Sequence, residues 1–367
     1  MDIYYKNDHV MVSNDFYDSE LLVISLSPLV DEKQPAAVEN GFGRTFFQSK
    51  KISCIYMIPT WNHWYQFEYI KDALNIIRSL SLNFKTVVIY GVSMGAYAAL
   101  KYADYLQATN VISISPQAVI TAPQADFDGR FSQFWEKIDY KSDAWLLEKN
   151  NSIETTVFYD RHHDLDNKHA QLIGRNLRHC QMVSLPFSGH EVFAVLNESG
   201  ILSEFIFSLI YKTAPMSELL RTYRENRHKS GVSWMYAAQI SMQRGRKLIA
   251  GKLYRHSVEV IEWRKKNGLA IDQAKARMTV MEYIAFCFKT KDFSGFSEMY
   301  NAFSNNKIIK IDLSFKHLEY CLHIGDKEKF MASFKALQAI GKSNEPAVNR
   351  ITTAAIRQNL ISEADLS

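Results

Sequence analysis

One serine and one histidine stand out in this chain for the residues around them. Gly91-Val92-Ser93-Met94-Gly95 follows an apolar run at 86–90 and leads into an alanine-rich run at 96–100. A serine flanked this way sits on a sharp strand-to-helix turn, and small residues two positions either side let the two backbones pass closely. A helix starting there aims its first N–H groups and its positive dipole end at any anion forming beside the serine. Such a hydroxyl attacks acyl carbonyls once a base takes its proton. His190 meets the requirement for that base. It lies in Pro186-Phe187-Ser188-Gly189-His190, directly after a strand-like run at 181–185 and before an apolar helical run at 192–196. His179 precedes the same strand and so belongs to the opposite edge of the sheet.

A catalytic histidine needs a carboxylate to fix its tautomer. With the order serine, acid, histidine, the acid falls after the run at 155–159, which ends in Asp160-Arg161-His162-His163-Asp164-Leu165-Asp166. Asp160, directly at the strand end, is favoured over Asp164 in the loop beyond it. Asp166 precedes a helical run and reads as an N-cap. For the oxyanion, one donor is expected from the backbone N–H of Met94. The other is expected from Ser27 or Leu29, because Pro28 between them has no N–H. His162, His163 and His169 fit no standard zinc spacing and read as solvent-exposed loop residues, so neither a metal nor a cofactor is expected.

The elements that must position these groups are visible as short, nearly uncharged runs at 21–26, 52–58, 86–90, 110–114, 155–159 and 181–185. Runs of this kind suit parallel strands buried on both faces. Between them, 67–80, 95–105 and 166–178 carry apolar residues at helical spacing. Strand–helix alternation predicts a doubly wound, mostly parallel α/β sheet. The first twelve residues add a hairpin turning at Asn7-Asp8. The aromatic stretch Pro59-Thr60-Trp61-Asn62-His63-Trp64-Tyr65 follows a strand, and it either lines an acyl or sugar pocket or caps the core. The long connection after Ser115, rich in Phe, Trp and Asp, predicts a small lid over 116–151. Arg130 within it reads as a surface salt-bridge partner rather than as a clamp for an anionic substrate.

Ser93, an aspartate after the next-but-one strand, and His190, in that order, resemble the α/β-hydrolase superfamily over about residues 20–210. The resemblance implies a Ser-Asp-His triad acting on a carboxylic ester, thioester or amide through an acyl-enzyme. Transfer of the acyl group to another hydroxyl is a variant of the same chemistry. The common form of the motif has a further glycine where this chain has Ala96, which is small enough to serve.

The second part of the chain differs in charge and pattern. Residues 1–214 carry 24 acidic and 18 basic groups, a balance of −6, and residues 215–367 carry 15 acidic and 25 basic, a balance of +10. A sign change of this size predicts a domain boundary near 214/215. Beyond it the strand-like runs stop. The segment from Tyr283 to Asp292 is echoed 34 residues later, from His317 to Asp326, and the echo continues through Phe296/Phe330 and Tyr300/Phe334. That period resembles tetratricopeptide repeats and predicts a helical array over 215–367 that binds a protein partner. Its basic stretch at 221–266 reads as a solvated face or one docked on the acidic first domain rather than as a surface for an acidic partner, and no nucleic-acid motif accompanies it. The polar N-terminus, the lack of a long apolar run and four scattered cysteines predict a cytoplasmic protein off the membrane. The rival reading is an adaptor, hydrolase-like in fold but non-catalytic, whose helical part recruits the partner.

Overall fold

The computed structural model describes residues 2–34, 36–120, 125–138, 153–304 and 310–366. Its strands are β1 (Asp2–Lys6), β2 (Val10–Asp15), β3 (Leu21–Leu26), β4 (Ser53–Pro59), β5 (Thr86–Val92), β6 (Asn110–Ile114), β7 (Glu154–Tyr159) and β8 (Cys180–Ser184). They form one sheet in the order β1-β2-β4-β3-β5-β6-β7-β8. From β3 to β8 neighbouring strands run parallel, and the β1–β2 hairpin joins the edge of β4 in antiparallel fashion. β4 is buried at all seven positions, so both faces of the sheet are covered. The expected doubly wound α/β architecture is therefore what the structure shows.

Helices α1 (Arg44–Ser49), α2 (Ile70–Ser81), α3 (Met94–Tyr102), α4 (Ser132–Trp135), α5 (Asp164–Asn176), α6 (Val192–Glu198) and α7 (Leu202–Tyr211) alternate with the strands or follow them. α1, at six residues, has fewer than two turns, too few for an apolar stripe to show in the sequence. The core lies between the strands and α2 and α3. Leu22, Ile24, Ile55 and Ile89 pack there with Leu74, Ile77, Ala98 and Leu100.

The chain divides into two compact units, Met1–Tyr236 and Ala237–Ser367. The division falls later than the change of charge because α8 (Met216–Asn226) packs on the sheet-bearing unit. Fully buried Tyr223 donates its hydroxyl proton to Pro186 O at 2.8 Å, and Arg227 stacks over the Phe187 ring. Ser230 then donates to buried Glu198 at 2.6 Å, just before α9 (Gly231–Gln243), within which the division falls.

The second unit is helical: α10 (Lys247–Lys266), α11 (Gln273–Thr290), α12 (Phe293–Phe303), α13 (Lys310–Ile324), α14 (Lys327–Ala339) and α15 (Pro346–Arg357). The two copies of the 34-residue echo coincide with α11–α12 and α13–α14. The two echoed aspartates occupy the same position: Asp292 caps α12 through Gly295 N–H, and Asp326 caps α14 through Lys329 N–H, each at 3.0 Å. Phe296 and Phe330, also equivalent, are both fully buried. Of the segment expected as a lid, 121–124 and 139–151 lie outside the described residues. Among the described residues, no single helix is long and apolar enough to cross a membrane.

Candidate active site

Ser93 occupies the turn between β5 and α3 with φ 53° and ψ −115°, a conformation that strains any residue with a side chain. The surroundings impose it. Ser93 N–H donates to Ile114 O at 2.8 Å, and Tyr97 N–H donates to Ser93 O at 3.0 Å, so both ends of the turn are tied. A Cβ on Gly91 would lie 2.3 Å from Gly95 O, and one on Gly95 would lie 2.1 Å from Leu26 O. Any side chain there would push strand and helix apart, which is why this bend needs a glycine on each flank.

The serine meets its expected partner. Ser93 Oγ is 3.0 Å from His190 Nε2, and His190 Nδ1 is 2.7 Å from Asp166 Oδ2. Burial works against ionisation of Asp166, which is 1% exposed. The electrostatic attraction of the facing His190 ring, together with its hydrogen bond, outweighs burial and holds the carboxyl well below its usual range. An ionised Asp166 requires the imidazole proton on Nδ1, which leaves Nε2 with a lone pair facing the serine hydroxyl. This is the tautomer a general base needs.

The carboxylate on His190 is thus neither of the two expected. Asp160 is fully buried, but its oxygens accept from Gly189 N–H and His162 N–H, each at 2.9 Å. It braces the loop that carries His190 and does not reach the ring. Asp164 points into solvent and pairs with Lys168 one helical turn along, at 2.7 Å. Asp166 is not an N-cap either. His163 holds that position, its Nδ1 lying 3.3 Å from Asp166 N, and Asp166 falls on the inward face of the first turn of α5. Sequence spacing placed an acid in this segment, while the choice among three aspartates is made by which face of α5 turns toward the loop at 188–190.

Two other expectations change in the same place. Arg130 is not a surface ion-pair partner. Its Nη2 donates to Asp166 Oδ1 at 2.8 Å and to Asp128 Oδ2 at 2.7 Å. His169 is fully buried rather than a loop residue, with Nε2 3.0 Å from Asp128 Oδ2. His163 also lies beside the Ser93–His190–Asp166 chain, 3.2 Å from Asp166 Oδ1, while His162 stacks on Phe187.

The amide of Met94 opens α3 directly after the serine, in the position expected of an oxyanion donor. In the loop after β3, Ser27 N–H points instead at Met57 O, 3.5 Å away, continuing the sheet ladder, and Val30 N–H donates to Asn62 Oδ1 at 2.8 Å. Leu29 N–H, the alternative to Ser27, has no hydrogen-bond partner among the described residues.

The aromatic stretch after β4 serves mainly as core. Trp64 and Tyr65 are fully buried at positive φ (50° and 55°), and Trp64 N–H contacts Met94 Sδ at 3.4 Å. His63 braces this bend: its Nδ1 accepts Tyr65 N–H and its Nε2 donates to His9 O, each at 2.9 Å. Burial pushes the His63 ring down to about 4, so it is neutral. Trp64 in turn meets Phe131, Phe134 and Trp135 of the insertion, at ring separations of 5.3, 6.0 and 6.0 Å.

Among the described residues, no group of three or more His, Cys, Asp or Glu side chains could hold a metal ion. No protein-family model matches the chain, and no curated protein matches it. Solved structures resemble part of the chain. They include a capsule O-acetyltransferase of Neisseria meningitidis serogroup A, 13% identical, with TM-score 0.42, covering 56% of this chain and 93% of that one. An α/β superfamily hydrolase from Oenococcus oeni is 11% identical with TM-score 0.36, covering 58% of this chain and 100% of its own. A thermophilic esterase from Thermogutta terrifontis is 13% identical with TM-score 0.36, covering 55% and 94% respectively.

Proposed function

We propose that the protein is a serine hydrolase, or an acyltransferase of the same mechanism, that cleaves a carboxylic ester or thioester through an acyl-enzyme on Ser93. The observation that supports this is the unbroken chain from Ser93 Oγ to His190 to Asp166, with contacts of 3.0 and 2.7 Å, on a serine held in the strained turn. Ser93 Oγ attacks the carbonyl carbon while its proton passes to His190 Nε2. Asp166 stabilises the imidazolium and keeps it oriented. The oxyanion is received by Met94 N–H and Leu29 N–H. His190 then protonates the leaving oxygen or sulfur. Next it deprotonates water, or an acceptor hydroxyl in the transferase variant, which attacks the acyl-enzyme and releases Ser93.

No cofactor or metal enters this scheme, and the substrate is a small acyl ester or thioester. The helical unit is a tetratricopeptide-like array that binds a protein partner, a reading supported by the equivalent capping aspartates Asp292 and Asp326. We place the protein in the cytoplasm.

A fluorophosphonate probe, which reacts only with an activated serine, tests the catalytic reading on wild type and Ser93→Ala. Labelling of wild type alone is expected, with hydrolysis of short acyl esters falling by at least about 10⁴-fold in the variant. Folded wild-type protein that neither labels nor turns over esters would overturn the hydrolase reading and favour the adaptor.

A further inference from the structure

Arg130 lies outside the Ser93–His190–Asp166 chain, yet it is built into its support. The Asp166 carboxylate has two oxygens with different duties: Oδ2 faces His190 Nδ1, and Oδ1 receives Arg130 Nη2 at 2.8 Å. The guanidinium is itself fixed. Its Nε lies 3.0 Å from Asp128 Oδ1, and its Nη2 lies 2.7 Å from Asp128 Oδ2. Asp128 is held from the far side by His169 Nε2. The tautomer of His169 is settled by its other nitrogen, because Nδ1 accepts Ala118 N–H at 3.1 Å and the ring proton must therefore sit on Nε2. Burial opposes the charge of Asp128, but the bonds from His169 and Arg130 prevail and keep it ionised.

Two consequences follow from elementary chemistry. The terminal torsion of an aspartate is soft and nearly two-fold, so a carboxylate bonded through one oxygen swings readily. A planar guanidinium on the other oxygen removes that freedom with strong, directional hydrogen bonds. Charge is the second consequence. Asp128, Arg130 and Asp166 together carry one net negative charge, which the imidazolium formed on His190 during turnover neutralises. Without Arg130 the same pocket would hold two uncompensated buried carboxylates.

We propose that Arg130 is a positioning residue: it locks the rotation of Asp166 so that Oδ2 receives His190 Nδ1–H, and it makes the competence of the triad depend on the insertion that carries it. This rests on the triad reading above. The same insertion touches the site a second time, since the ring of Phe131 lies 6.3 Å from that of His190. The docked insertion thus both walls the site and orients its acid.

Proton NMR of the intact protein tests the proposal. A strongly bonded His190 Nδ1–H resonates far downfield and is assigned by its absence from Asp166→Asn and His190→Gln. The expected result is a sharp signal in wild type, a weakened one in Arg130→Lys and none in folded Arg130→Met. In the Met variant, kcat on a short ester should fall by on the order of 10²-fold with KM unchanged. A signal and kcat that survive in Arg130→Met would overturn the proposal, and so would a loss confined to KM. Should Arg130→Met fail to fold, Arg130→Lys decides, because it keeps the charge and loses the fork: an undiminished signal there overturns the proposal. Wild-type protein with the signal but without ester turnover would remove the hydrolase reading, while the Arg130 dependence of the signal would still support or overturn the positioning role.

Discussion

Two turns at the same edge of the sheet deliver Ser93 and the aspartate that bonds its histidine partner, and they do so by opposite means. The β5–α3 turn is fixed by backbone. Gly91 and Gly95 are present because a Cβ on either would fall within 2.3 Å of a main-chain oxygen, and Ser93 is strained because its own N–H and C=O are both tied. The β7–α5 loop is fixed by side chains. With the first turn of α5 it offers Asp160, Asp164 and Asp166, and the one that meets His190 is set by contacts with residues 24 and 36 positions away, His190 and Arg130. Backbone constraints leave a local signature in residue types. Side-chain selection among equals leaves none, because each aspartate is locally acceptable and only the folded neighbours distinguish them.

The widest separation between the three carboxylates is expected from Asp166→Asn and Asp160→Asn measured side by side. In Asp166→Asn, the amide reverses the preferred His190 tautomer, and kcat should fall by about 10⁴-fold with the fold intact. In Asp160→Asn, one of two amide donors, the buried Gly189 N–H or the half-buried His162 N–H, would lose its acceptor. The expected cost is about 1–3 kcal/mol in stability, with a far smaller loss of kcat. Thermal melting and steady-state kinetics on the two variants check this. Equal losses of kcat would break the comparison by showing that Asp160 belongs to the machinery.

The sequence made the sheet legible for the same reason that it made the β5–α3 turn legible. Strands buried on both faces demand continuous apolar runs, and those at 21–26 and 110–114 match β3 and β6 without adjustment. It left the acid open and missed Arg130, because an arginine on a long connection looks the same in sequence whether it lies in solvent or between Asp128 and Asp166. The loop after β3 shows the same limit. Ser27 and Leu29 are equally placed by spacing, and only the ladder bond from Ser27 N–H to Met57 O separates them.

A third turn combines both mechanisms. Trp64 and Tyr65 adopt positive φ without glycine, and the buried His63 between Tyr65 N–H and His9 O holds them there. A histidine held at about 4 when folded, against its ordinary 6.5, binds its proton more readily once unfolded. Stability from this group is therefore complete above pH 6.5 and declines as pH falls toward 4. At 1.36 kcal/mol per unit, the loss reaches about 3 kcal/mol. The carboxylates Asp128 and Asp166, depressed when folded, act in a lower window. Their contribution is full above the ordinary carboxylate value and is lost only as pH falls further. Urea unfolding at pH 7.5, 5.5 and 4.5 should show the first decline in wild type and a shallower one in His63→Gln, which can keep one acceptor and one donor. An unchanged slope would mean that the bend is held by its aromatic packing rather than by the ring nitrogens.

The smallest effects belong to the helical unit, and they sharpen the comparison from the other side. Asp292 and Asp326, 34 residues apart, each accept the N–H three residues on, an interaction that needs nothing beyond the local chain. Replacing either by Ala should cost about 1 kcal/mol, read from urea midpoints, with no change in ester turnover. Equal costs would mean that the sequence echo marks one structural unit used twice, legible because a cap, like a glycine at a close approach, is dictated by backbone. A cost at only one of them would reduce the echo to a coincidence of apolar spacing, since side chains elsewhere would then be setting the other helix start.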